Sequence, residues 1–193
     1  MHTIYHTEAF ILKLTPSGEA NARVWLFTRD MGLIVASVQG VRKAGAKLMS
    51  SLIEYGFVHV DLVKGREVWR LISVSMLQQI VADIQNPIYR RPFVRSISFV
   101  ERLVVGEGME HTDLFSHLGI LGDFLLHAKD ISPEIVDTLS LWKIATMLGY
   151  IAVEPEDEKF FDTLFAEAVY LVQESTMKMM IRKVHESLIS AHL

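Results

Sequence analysis

The sequence predicts an α+β protein, with an all-β N-terminal barrel followed by an all-α helical bundle. Three observations carry this. Over the first 80 residues apolar side chains recur at every second position, and after Leu77 they recur at three- and four-residue spacing. Clusters of Gly, Pro and Asp fall between the early runs, where tight turns belong. With half of its 193 residues apolar and 22% charged, the chain can bury a core of its own.

The strands follow in order. Phe10, Leu12 and Leu14 alternate with Ile11 and Lys13, and Val24 and Leu26 alternate with Trp25 and Phe27. Leu33 to Val38 is evenly apolar, Val58, Val60 and Leu62 alternate with His59 and Asp61, and Val68, Ile72 and Val74 share a face with Arg70. Turns are expected at Pro16-Ser17-Gly18, Asp30-Met31-Gly32 and Lys64-Gly65-Arg66. Five short strands, interrupted from Arg42 to Ser51 between the third and fourth, fit a small closed barrel. The OB-fold places a short helix at that point, although a split sheet or an SH3-like barrel satisfies the same strand count.

The second half reads as helix after helix. Apolar stripes run through Phe93, Ile97, Val100 and Val104; Leu114, Leu118, Leu121 and Leu125; Ile135, Leu139 and Trp142; Phe160, Leu164, Ala168 and Leu171; and Met177, Ile181, Val184 and Leu188. Ser132 is the expected N-cap of the third stripe, with Pro133 at its first helical position. The expected division is a barrel over residues 1–80 and a helical domain over 81–193. No Gly/Ser linker separates them, so the helices are expected to pack on the barrel.

Composition removes several kinds of chemistry. The chain has no cysteine, so disulfides, thiolate zinc sites and cysteine nucleophiles are excluded. Its start lacks the pattern of a leader peptide and no apolar run approaches the ~20 residues of a membrane span, which suggests a soluble, cytoplasmic protein without membrane partners. There is no phosphate-binding glycine loop, paired-histidine helix or nucleophile elbow, so no catalytic residue, no metal site and no cofactor is expected and the chain reads as a non-enzyme. His2 and His6 read as a solvated N-terminal tail, and Glu154, Glu156, Asp157 and Glu158 as a solvated helix start.

Charge is distributed unevenly. Residues 1–102 hold 13 Lys and Arg against 8 Asp and Glu, whereas residues 103–193 hold 6 against 15. A cationic front half suits a polyanion, because cations along a groove neutralise phosphates while aromatic rings stack on bases of any sequence. The candidates for phosphate contact are Arg42, Lys43 and Lys47 in the interruption, then Arg23 on the second strand and Arg66 and Arg70 on and beside the last hairpin. Gly40, Gly45, Ala44 and Ala46 let backbone approach a phosphate closely. Trp25, Tyr55 and Trp69 are the aromatics nearest these charges, with each tryptophan also a candidate for the barrel core. A protein-interaction adaptor and an RNA-binding OB module are the competing readings.

Several segments then resemble one family in order and spacing. Glu8-Ala9-Phe10-Ile11-Leu12-Lys13, Gly18-Glu19, Leu26-Phe27-Thr28-Arg29-Asp30-Met31-Gly32 and Gly40-Val41-Arg42-Lys43 are similar to the start of RecO proteins. Leu148-Gly149-Tyr150 and the closing stretch from Ile181-Arg182 to His192-Leu193 extend the likeness to the rear. The resemblance implies an N-terminal OB-fold and a non-catalytic role in DNA repair and recombination. It implies binding to single- and double-stranded DNA, annealing of complementary strands, and action with RecR in exchanging single-strand-binding protein for RecA. It also implies docking of the acidic, Phe-ended C-terminal tail of single-strand-binding protein on the helical body, where Arg90, Arg91 and Arg95 stand beside Tyr89 and Phe93. The sequence departs from the family in three ways. Many members follow Leu-Gly-Tyr with a four-cysteine zinc module that has no counterpart here, Ala46 and Glu54 replace a common serine and proline, and the chain is short, without the family's basic C-terminal extension.

Overall fold

A computed structural model describes residues 3–41, 48–66, 68–104 and 106–191, apart from the side chain of Met49. The chain forms two compact units, one of residues 1–83 with 104–115 and one of residues 84–103 with 116–193. Residues 104–115, which belong to the second half by chain order, are thus part of the first unit.

The first unit holds β1 (Ile4–Ser17), β2 (Asn21–Thr28), β3 (Gly32–Val38), β4 (Phe57–Lys64) and β5 (Trp69–Gln78). They close into a barrel in the order β1-β2-β3-β5-β4, antiparallel throughout except where β3 meets β5 in parallel. Closure removes the split-sheet alternative, and the barrel is an OB-fold. A 3-10 turn at Met49–Ser51 and a short helix α1 (Ile80–Asp83) complete the described elements of residues 3–83.

The barrel core is filled by Ile11, Val24, Leu26, Ile34, Val60 and Leu62, each at most 2% exposed. Strict alternation fails at bulges in β1 and β5. In β1 the pairing passes from Ile11↔Leu26 to Lys13↔Trp25, so Leu12 is the extra residue and the side-chain parity shifts. Ala9 and Ile11 therefore enter the core, while Phe10 is buried outside it against Phe57 and Phe115 at centroid distances of 5.0 and 4.9 Å. In β5 the pairing passes from Asp61↔Ser73 to Leu62↔Leu71, leaving Ile72 over. The inward face is consequently Trp69, Leu71 and Val74, and the expected grouping of Val68 and Ile72 with Val74 is wrong, since both are exposed.

The turn after β2 explains the Leu26–Gly32 segment. The Thr28 hydroxyl donates to the Gly32 carbonyl at 2.8 Å and accepts the Met31 N–H at 3.1 Å, and the Thr7 hydroxyl donates to the Asp30 carboxylate at 2.7 Å. The Arg29 guanidinium donates to the Glu8 carboxylate and lies 4.9 Å from the Phe115 ring centroid. Gly32 has φ +66°, and a Cβ there would stand 2.3 Å from the Met109 carbonyl oxygen, so both backbone shape and space require glycine. The Gly108 N–H donates to the Met31 carbonyl, which secures residues 104–115 to this turn.

The second unit contains α2 (Arg90–Leu103), most of α3 (Thr112–His127), α4 (Pro133–Met147), α5 (Glu158–Phe161), α6 (Phe165–Leu171) and α7 (Glu174–Ser190). Every residue of α4 from Val136 to Thr146 is buried, which marks it as the central helix, packed by α2 and α7. Ser132 caps it by backbone geometry and Pro133 takes the first position, but the Ser132 hydroxyl donates to the Glu134 carboxylate and not to a cap. The stripe from Phe160 to Leu171 is two short helices, with Leu164 exposed between them. Helix α2 ends at Leu103, so Val104 is not part of it. In α7 the buried residue is Met180, whereas Ile181 is half exposed.

Several buried polar side chains of this unit have partners within it. His117 Nε2 is 3.0 Å from Ser140 Oγ, which is 2.8 Å from Ser96 Oγ, all within the core. The Lys143 ammonium donates to the Phe161 and Thr163 carbonyls. The acidic stretch near Pro155 is not merely solvated, because the Lys183 ammonium donates to Asp157 at 2.6 Å and to Glu154 at 2.8 Å.

Candidate nucleic-acid interface

On the barrel exterior the register assembles two adjacent rows. Strand pairing aligns Thr15 with Arg23, Arg23 with Ser37, and Ser37 with Arg70, so one row crosses β1, β2, β3 and β5. The neighbouring row aligns Lys13, Trp25 and Val35. Because Ala22, Val24 and Leu26 point inward, Arg23 and Trp25 must point out, and the same parity turns Val35 and Ser37 outward between Ile34, Ala36 and Val38. The strand stretches forming this face, residues 12–17, 21–25, 34–38 and 69–72, contain Lys13, Arg23 and Arg70 and no Asp or Glu. The Glu54 carboxylate is occupied at the β1 edge, accepting the Leu14 N–H at 2.8 Å.

Arg23 and Arg70, named from the sequence as phosphate contacts, are thus brought to one row, both exposed. The Arg70 guanidinium is 3.5 Å from the Gln39 side-chain oxygen. Arg66 is exposed in the β4–β5 connection. Arg42, Lys43 and Lys47 lie outside the described residues. Their segment follows Gly40, whose N–H donates to the Asn21 side chain at 2.9 Å, two residues from Arg23 on β2. Of the aromatics, Trp69 is a core residue at 5% exposure, with its ring edge-on to Tyr5 and the Lys64 ammonium 5.2 Å from its centroid. Trp25 is partly exposed. Lys64 is held 3.5 Å from the Glu107 carboxylate.

Sequence reasoning missed Lys13, whose ammonium lies 5.7 Å from the Trp25 centroid. Beyond the bulge at Leu12, Leu14 turns toward the core and Lys13 turns outward. His6 is not in a solvated N-terminal tail as expected, and His59 is exposed on β4. His6 belongs to β1 and sits 2.6 Å from Asp61, and His59 is 3.8 Å from Glu8. No cluster of three metal-ligating side chains occurs among the described residues, nor any helix long and apolar enough to cross a membrane.

Among the pockets of the helical unit is a groove of about 470 Å³ bounded by α2, α4 and α7. Leu141, Ile181, Val184 and Leu188 line its apolar wall, and Arg91 and Arg95 line it from α2. Arg95 is ion-paired with Asp137. Burial pushes the Asp137 carboxyl above its usual range, against the pull of Arg95 and Arg91. Arg90 is spent on the Ile84 carbonyl, and Tyr89 and Phe93 are buried, so only Arg91 and Arg95 of the expected cluster reach the groove.

Residues 1–80 match the family described as recombination protein O, N terminal. Three curated proteins, each named DNA repair protein RecO, align beyond that region. The protein of Clostridium kluyveri is 26% identical over 76% of this chain and 56% of its own length, and that of Clostridium novyi is 28% identical over 77% and 57%. The protein of Alkaliphilus metalliredigens is 24% identical over 58% of this chain and 46% of its own. The chain therefore spans about half the length of the curated relatives it matches.

Proposed function

We propose that the chain is a RecO-family protein, as its match over residues 1–80 and its relatives suggest, and that its barrel binds single- and double-stranded DNA through phosphate contacts in a repair and recombination role. The observation that carries the proposal is the row Thr15–Arg23–Ser37–Arg70, a cationic stripe without carboxylates on the strand face that OB-folds use for oligonucleotides. Arg66 on the β4–β5 connection would extend the stripe, and Arg42, Lys43 and Lys47, outside the described residues, are further candidates for phosphate contact. Contacts of this kind grip the backbone and carry no base information. That suits annealing, where two polyanions of any sequence must approach and fixed cations lower their repulsion.

In the fuller reading the protein is a non-enzymatic mediator that pairs complementary strands and, with RecR, helps RecA replace single-strand-binding protein. The groove between α2, α4 and α7 suits the acidic, Phe-ended tail of single-strand-binding protein, since its apolar wall would take the ring and Arg91 and Arg95 the carboxylates.

A salt titration tests DNA binding. If about four phosphates are neutralised on a single strand, log affinity falls with log salt at a slope of roughly −3. The Arg23→Ala/Arg70→Ala pair should flatten that slope by about 1.4. A near-zero slope in the unsubstituted protein, or an unchanged one in the variant, would refute the stripe. In a strand-annealing assay Arg91→Ala should slow pairing only when the strands carry single-strand-binding protein. Equal slowing of bare strands would count against the groove.

A further inference from the structure

The row beside the cationic one carries an aromatic ring, Trp25, that phosphate binding does not use. We propose that Trp25 is a base-stacking platform that makes the barrel prefer a single strand over duplex. This rests on the DNA-binding reading and adds a specificity residue to it. Among the three tryptophans, Trp142 is fully buried and Trp69 nearly so, while Trp25 is partly exposed. It stands between Lys13 on β1 and Val35 on β3, and Val35 is an exposed apolar residue on the same strand face. A large aromatic held outward on a rigid central strand, bordered by apolar surface and cations, is what an unstacked base requires.

Geometry joins the two rows. Arg23 and Trp25 are two residues apart on β2, a rise of about 6.8 Å, so a base on the indole keeps its own backbone within reach of the guanidinium. The Lys13 ammonium stands 5.7 Å from the centroid of that ring. In duplex DNA the bases are already stacked within the helix and offer Trp25 nothing, while the phosphates still meet Arg23 and Arg70. Discrimination follows from this difference.

Intrinsic fluorescence of the full chain tests the proposal, because Trp69 and Trp142 provide a buried background. A thymidine oligonucleotide should quench the emission, and a duplex of equal length at equal saturation should not. Trp25→Leu should abolish the quenching and weaken oligonucleotide binding about tenfold, with duplex affinity falling less than twofold; Trp25→Phe should recover most of the strand affinity. Equal losses on strand and duplex, or no loss on either, would overturn Trp25 as the platform while leaving phosphate binding intact. Failure of the unsubstituted protein to bind either nucleic acid would overturn both readings together.

Discussion

His117 is a base buried where it has no room to take a proton. Burial, with the Lys143 charge adding to it, pulls its pKa down to about 3, and its ring is committed to Ser140 in the Ser96–Ser140 pair. The unfolded chain binds this proton near pH 6.5 and the folded one only near 3. The stability contributed by the neutral ring is therefore fully present above pH 6.5 and is lost as pH falls toward 3. The loss should be on the order of 4 kcal/mol across that window. Urea unfolding at pH 7 and pH 4.5 should show a marked drop that His117→Gln reduces; an equal drop in the variant would assign it to other groups.

At the scale of elements, α7 depends on a charge clamp. Asp157 is fully buried, and its carboxylate is met by Lys183 from α7. Burial lowers the lysine pKa, but the hydrogen bonds and charges of Asp157 and Glu154 outweigh it and hold the ammonium above its ordinary value. Removing one member of such a pair leaves an uncompensated buried charge. Lys183→Ala is expected to destabilise the protein by about 3 kcal/mol, and adding Asp157→Asn to restore part of it. Thermal melting of the single and double variants decides this, and additive losses would show that the two groups are not coupled. The bulges in β1 and β5 matter at the same scale, since one extra residue reverses which side chains face the core and so places Lys13 outside and Trp69 inside.

For the whole molecule, the consequential feature is that residues 104–115 return to the barrel unit. Phe115 packs against Phe10, Phe27 and Phe57, at centroid distances of 4.9 to 6.1 Å. A fragment ending at residue 83 would leave those three rings bare. It should bind a hydrophobic dye and melt well below the full chain, as read by circular dichroism. A fragment as stable as the full chain would show that the return is dispensable.

The order of strands then helices, the turns at Gly18, Gly32 and Gly65, and the concentration of cations in the first half were legible in the residues alone. Periodicity, turn chemistry and charge are local properties of a chain. Tertiary structure alone decided that Arg23 and Arg70 share a row although 47 positions separate them, that Arg90 is consumed by a carbonyl, and that the α7 stripe lines an open groove. Those outcomes depend on which distant backbone pairs with which, and a hydrogen-bond register between remote strands leaves no trace in the sequence of either one.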